Sequence, residues 1–148
     1  MERIVRCSKI TIKVFFDGLY VKKDEEGIGT YAFVIYRNKE KIYEEMGKVS
    51  RKEGRVTNNA AEYIALEKAL RWIIERGLND EKVIILGDSQ LVIRQLNGEY
   101  KIKSENLYPL FLQIKNLLNK FKDVEISWIP REENQEADFL TKKALSLK

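Results

Sequence analysis

Four acidic residues sit on four separate stretches of the chain, each where an apolar run ends or a helix begins. They are Asp17 in IKVFFDG, Glu62 in TNNAAEY, Asp88 in VIILGDSQ and Asp138 in REENQEAD. A carboxylate beside a buried strand is costly unless something neutralises it. A divalent cation is the natural candidate, because hard Mg²⁺ prefers carboxylate oxygen. The order strand-Asp, helix-Glu, strand-Asp, helix-Asp is what a two-metal phosphodiester hydrolase needs.

Each position also has a plain structural reading. Asp17 is expected to end the first strand, where with Gly18 it could serve as a turn or capping residue. Glu62 shares a helical face with Leu66, Ala69 and Ile73, the stripe that should bury against a sheet. Its alternatives are first-turn stabilisation by the helix dipole and a capping box with Asn59. Asp88 can N-cap the helix that follows it. Asp138, beside Ala137 and Leu140, can lie on a solvated helix face. Thr57, Asn58 and Asn59 could cap the Glu62 helix or contact base edges and sugars, and Ser89 and Gln90 could do the same after Asp88. Lys101, Lys103, Lys115, Lys120 and Lys122 make the middle of the chain basic, as a solvated face or as a track for phosphates. Trp72 and Trp128 are read as core.

Other chemistries fall away. The chain has no histidine, so it can build neither a Ser-His-Asp triad nor a His-bearing zinc site. It has no glycine-rich phosphate loop. Its one cysteine, Cys7, permits no intrachain disulfide. Paired carboxylates for glycoside hydrolysis remain formally open.

The elements that must position these residues follow from periodicity. Thr11 to Phe16 alternates as a strand, Val21 to Glu26 reads as a charged loop, and Gly29 to Tyr36 and Lys41 to Val49 complete an antiparallel meander. Asn59 to Arg76 is helical, closed by Gly77. Val83 to Leu86 is an unbroken apolar strand. Helices are expected from Asp88 to Leu96, Glu105 to Phe121 and Glu133 to Leu147, with a last strand at Val124 to Ile129. A meander followed by alternating helix and strand implies an α/β fold, a mixed sheet with helices on it. The 148 residues are expected to form one domain, 1–148, with 1–9 as an N-terminal extension. Net charge is +4 with 44% hydrophobic residues, which permits a polyanionic partner in a globular protein. No run approaches the roughly 18 apolar residues of a bilayer span, and the N-terminus has no secretory h-region. A cytoplasmic, membrane-free monomer is expected.

With these positions in hand, the chain resembles the type 1 ribonuclease H family over about residues 11–145. The shared motifs are FDG at Asp17, TNNxAE from Thr57 to Glu62, GDSQLV from Gly87 to Val92 and ENxEAD from Glu133 to Asp138. It is most similar to compact members that lack the basic protrusion. The resemblance implies a ribonuclease H-like five-stranded mixed sheet, antiparallel meander then parallel strands, with helices on both faces. It implies endonucleolytic cleavage of the RNA strand of RNA–DNA hybrids, leaving 5′-phosphate and 3′-hydroxyl ends. Double-stranded RNA, whose A-form minor groove presents the same 2′-hydroxyls, is a related candidate substrate. It also implies two Mg²⁺ or Mn²⁺ ions, Asp17 shared between them, Glu62 and Asp88 on one and Asp138 on the other. Asn58, Asn59 and Gln90 match hybrid contacts in the minor groove, and Asn134 a supporting position beside the last carboxylate. Arg131 is counted with the substrate-binding residues on its charge, and it or Glu132 could stand in for a histidine that many relatives carry in this loop. Where many relatives carry a histidine before the last carboxylate, this chain reads Pro130-Arg131-Glu132. A non-catalytic hybrid- or RNA-binding module on the same fold is the alternative.

Overall fold

The computed structural model describes residues 10–23, 26–51 and 54–147. The expected N-terminal extension, residues 1–9, lies outside them. Five strands form one sheet in the order β3-β2-β1-β4-β5, with β1 at Thr11–Lys23, β2 at Glu26–Arg37, β3 at Glu40–Lys48, β4 at Lys82–Gly87 and β5 at Asp123–Trp128. β1, β2 and β3 pair antiparallel, while β4 runs parallel to both β1 and β5. The mixed topology expected from the sequence is therefore the one formed.

The helices are α1 (Asn58–Glu75), α2 (Gln90–Leu96), α3 (Tyr108–Leu118) and α4 (Gln135–Ala144). Side chains alternate across the sheet. Ile12, Val14 and Phe16 of β1 join Phe33 and Ile35 of β2 and Val83 and Ile85 of β4 under α1. That layer holds the larger core, with Leu66, Leu70 and Ile73 of α1 and Ile114 of α3 fully buried. Burying a side chain of this size stabilises by roughly 1.5–3 kcal/mol. The opposite face is thinner: Ala32, Val34, Phe15, Tyr36 and Met46 pack with Leu140 of α4.

Local signals set the helix ends. Thr57 caps α1, its hydroxyl accepting from Ala60 N at 3.1 Å. Asn59 is therefore not the cap, and the capping-box reading of Glu62 falls. Gly77 follows α1 at φ 71°, a left-handed conformation that suits glycine. α2 is capped by Ser89, which accepts from Val92 N at 3.2 Å, and not by Asp88.

Three further expectations change. β1 does not end at Asp17 but runs on to Lys23, paired with β2 down to Lys23↔Glu26. Past Asp17 it reads Gly-Leu-Tyr-Val-Lys-Lys, so the alternation of apolar and polar residues stops while the ladder continues. Most of the predicted 21–26 loop is thus strand; Asp24 and Glu25 lie outside the described residues. Trp128 is 44% exposed and Trp72 only partly buried, so neither is a fully buried core side chain. The ladder of β5 leaves Trp128 at the sheet's outer edge.

Candidate active site

The C-terminal end of β4 and the first turns of α1 converge on the middle of β1. The parallel register matches Phe15 with Leu86, so Asp17 and Asp88 each lie two residues further on, along adjacent strands about 4.8 Å apart. Gly18 lets α1 reach this point. A Cβ there would lie 2.2 Å from Glu62 N and 2.3 Å from the Ala61 carbonyl carbon. The first turns of α1 therefore press directly on β1 and bring Glu62 to Asp17. One carboxylate oxygen from each of Asp17, Glu62 and Asp88 lies within 4.8 Å of the others. Asp138, from α4 on the opposite side of the sheet, is not in that tight group but lines the same cleft, about 400 Å³ in volume.

Asn134 fixes the sheet end of the cluster. The paired ladder between β1 and β4 stops at Phe15 and Leu86. Asn134 Nδ2 then donates to the freed Phe16 carbonyl at 3.0 Å and to Asp88 Oδ2 at 2.8 Å. The Trp128 indole N–H donates to the Asp88 carbonyl at 3.0 Å. Asp88 is held at both its backbone and its carboxylate. Gly18 N donates to Asp17 Oδ1 at 2.9 Å.

The electrostatics call for a cation. Asp17 is 7% and Glu62 6% exposed. Burial, aided by the nearby Asp88 and Asp138 charges, pushes the Asp17 carboxyl up to about 7, even though hydrogen bonds with Glu62 and Gly18 pull the other way. Burial, then the Asp17 charge, pushes Glu62 well above the usual carboxylate range. Positive charge joining carboxylates crowded in this way would favour their ionised forms. Glu62 Oε1 is buried with no hydrogen-bond partner, an acceptor left over by the protein. An all-oxygen set of this kind fits a hard divalent ion.

The other predicted residues divide. Asn58, Asn59 and Arg131 line the cleft, as do Leu19, Ser89 and Lys142. Asn58 Oδ1 accepts from Tyr20 N at 2.7 Å, which turns its amide donors outward from β1. Gln90 is exposed at the start of α2 and is not among the cleft-lining residues. Asn134, grouped with the substrate contacts and expected in a supporting role, is 1% exposed and donates to Asp88. Sequence reasoning missed Lys142, because an i, i+4 acid–base pair on a helix reads as ordinary surface.

Reasoning from sequence also missed a neighbouring recess of about 360 Å³ that shares Asn59 with the cleft; Arg55, Thr57, Lys101, Lys103, Ser104 and Asn106 contribute to it. Asn106 builds its wall, accepting from Arg55 N at 2.7 Å and donating to Arg55 O at 3.1 Å. No local sequence signal joins two segments fifty residues apart. A larger recess, about 490 Å³, opens between Phe15 and Tyr36 on the sheet and the start of α4. It contains none of the four carboxylates, so volume is a poor guide to the chemistry here.

This fold, with carboxylates from the two central strands and from a helix on each face, defines the ribonuclease H-like class. A family model described as reverse transcriptase-like matches residues 15–144. Ribonuclease HI of Halobacterium salinarum is 34% identical over 134 residues, covering 90% of this chain and 64% of that protein. The crystal structure of RNase H1 from the same halophilic archaeon superposes with a TM-score of 0.78 at 32% identity, covering 91% of this chain and 97% of that one. LC11-RNase H1, crystallised in complex with an RNA/DNA hybrid, gives 0.75 at 33% identity, covering 93% and 100%. The chain belongs to the reverse transcriptase-like family and, within it, to the type 1 ribonucleases H. It spans only 25% of the length of three mycobacterial relatives that are 36% identical over 92 residues. Among the described residues no helix is long and apolar enough to cross a membrane.

Proposed function

We propose that this chain is a divalent-metal-dependent endonuclease that hydrolyses the RNA strand of RNA–DNA hybrids, leaving 5′-phosphate and 3′-hydroxyl ends. The observation that carries the reading is the cluster of Asp17, Glu62 and Asp88 oxygens within 4.8 Å, with Asp138 in the same cleft. The type 1 ribonuclease H membership and a relative crystallised with an RNA/DNA hybrid support the substrate.

Asp17, Glu62 and Asp88 would hold one Mg²⁺ or Mn²⁺ ion, and Asp17 with Asp138 a second. Bound there, the ions supply activation of water and stabilisation of the leaving 3′ oxygen. The protein's own part is positioning. Asn134 and Trp128 fix Asp88 before any ligand arrives. The Asn58 amide, anchored through its oxygen to β1, presents N–H donors. Minor-groove acceptors and 2′-hydroxyls are the matching partners, and the 2′-hydroxyl distinguishes RNA from DNA. Asn59 lies between the cleft and the basic recess and can meet the same groove. Arg131 places a fixed positive charge at the cleft for a phosphate. With no histidine in the chain, proton transfer to the leaving oxygen falls to solvent.

The test is an end-labelled RNA strand offered as hybrid, as RNA duplex and as single strand, beside an all-DNA duplex, with Mg²⁺, Mn²⁺ or chelator. Metal-dependent internal cuts in the hybrid, with 3′-hydroxyl ends, are expected. Tight hybrid binding without cleavage under either metal would replace this reading with that of a binding module.

A further inference from the structure

We propose that Lys142 is a built-in counter-cation for the fourth carboxylate. It occupies Asp138 while no divalent ion is bound, and is released to a substrate phosphate when one enters. The inference rests on the functional reading of the cleft given above.

Asp138 differs from the other three carboxylates. Asp17, Glu62 and Asp88 offer oxygens within 4.8 Å of one another, and Asp138 stands outside that group. Its Oδ2 lies 3.1 Å from Lys142 Nζ, and both residues line the cleft. They are four residues apart on α4, so the bridge forms within one helix turn and needs no movement of the sheet. An ammonium 3.1 Å from Oδ2 already neutralises the carboxylate, and a divalent ion entering beside it meets a like charge. The ion pair thus competes with metal for the one carboxylate that the protein leaves apart from the trio.

The pair is built to exchange. The side chains are 28% and 64% exposed, and an exposed i, i+4 bridge is weak. A lysine ammonium is a compact, hydrated point charge on a flexible stem, so it can swing from Asp138 without cost to the fold. Displaced by a divalent ion, it remains at the cleft mouth as a free cation beside the path of the backbone. Metal loading would then recruit one more phosphate contact than the bare protein makes.

Two readouts test this without recourse to turnover. Calorimetric titration of Mn²⁺ into the protein, without nucleic acid, should show Lys142→Met binding about two-fold more tightly than wild type, the size expected for losing a weak competing pair. Lys142→Arg, which keeps the charge, should resemble wild type. Salt dependence of binding to a non-cleavable hybrid, with 2′-fluoro sugars in the RNA strand, is the second readout. With Mn²⁺ the log–log slope for Lys142→Met should be shallower by about one; in chelator the two slopes should coincide. Equal Mn²⁺ affinities, or the same slope difference in chelator, would overturn the inference. Failure of wild type to bind Mn²⁺ at all would overturn the functional reading of the cleft instead.

Discussion

Replacing Asp17 by Asn should make the metal-free protein more stable at neutral pH while removing its metal site. In the unfolded chain this carboxyl ionises near 3.8, and in the folded protein burial holds it near 7. Between those values the folded state keeps a proton that the unfolded state has lost, so stability falls as pH rises. Below about pH 4 both states are protonated and the penalty vanishes. A difference of about three pH units corresponds to roughly 4 kcal/mol at 1.36 kcal/mol per unit. Coupling to Glu62, which shares the strain, makes about 2–4 kcal/mol the expected gain for Asp17→Asn at pH 8. The amide can still accept from Gly18 N, so the local backbone is undisturbed. At roughly 2–4 °C per kcal/mol for a chain of this size, the melting temperature should rise by about 4–16 °C. The assay is thermal unfolding of both proteins in chelator from pH 4 to pH 8. The gap should open with pH, and saturating Mg²⁺ should close it by stabilising wild type alone. A variant no more stable than wild type at pH 8, or a gap independent of pH, would refute the account of a frustrated carboxylate pair.

Two further perturbations probe the support of the cluster. Asn134→Ala removes the donor to Asp88 Oδ2 and should weaken metal affinity by about 10–100-fold, as loss of outer-shell partners does, read from Mn²⁺ titration of a folded variant. Gly18→Ala places a methyl 2.2 Å from Glu62 N, forcing α1 off β1. It should cost about 1–3 kcal/mol or more in denaturant unfolding and lose metal binding with it.

The four carboxylates were legible because each stands against its local pattern, most plainly Glu62 at the head of an apolar stripe. The sheet was legible from the meander and the apolar β4 run. What the sequence concealed is tertiary in origin. The continuation of β1 past Asp17 is invisible to hydrophobic alternation, since it is fixed by the ladder with β2, which runs through exposed Lys22. Asp88 looked like a cap because Ser89 beside it offers the same chemistry, and only the hydrogen bond to Val92 N decides between them. Trp128 looked like core because large aromatics usually are; its position on an edge strand is set by sheet order. The roles of Asn134 and Lys142 depend on which carboxylate each meets, and no spacing rule supplies that.

The central claim is that this carboxylate cluster cuts RNA paired with DNA. Its most direct test is cleavage of an end-labelled RNA–DNA hybrid by wild type and by Glu62→Gln, with both proteins shown to be folded by circular dichroism. The account predicts internal cuts in the RNA strand that need Mg²⁺ or Mn²⁺ and disappear in the variant. Equal cleavage by Glu62→Gln, or none by folded wild type with either metal, would contradict it.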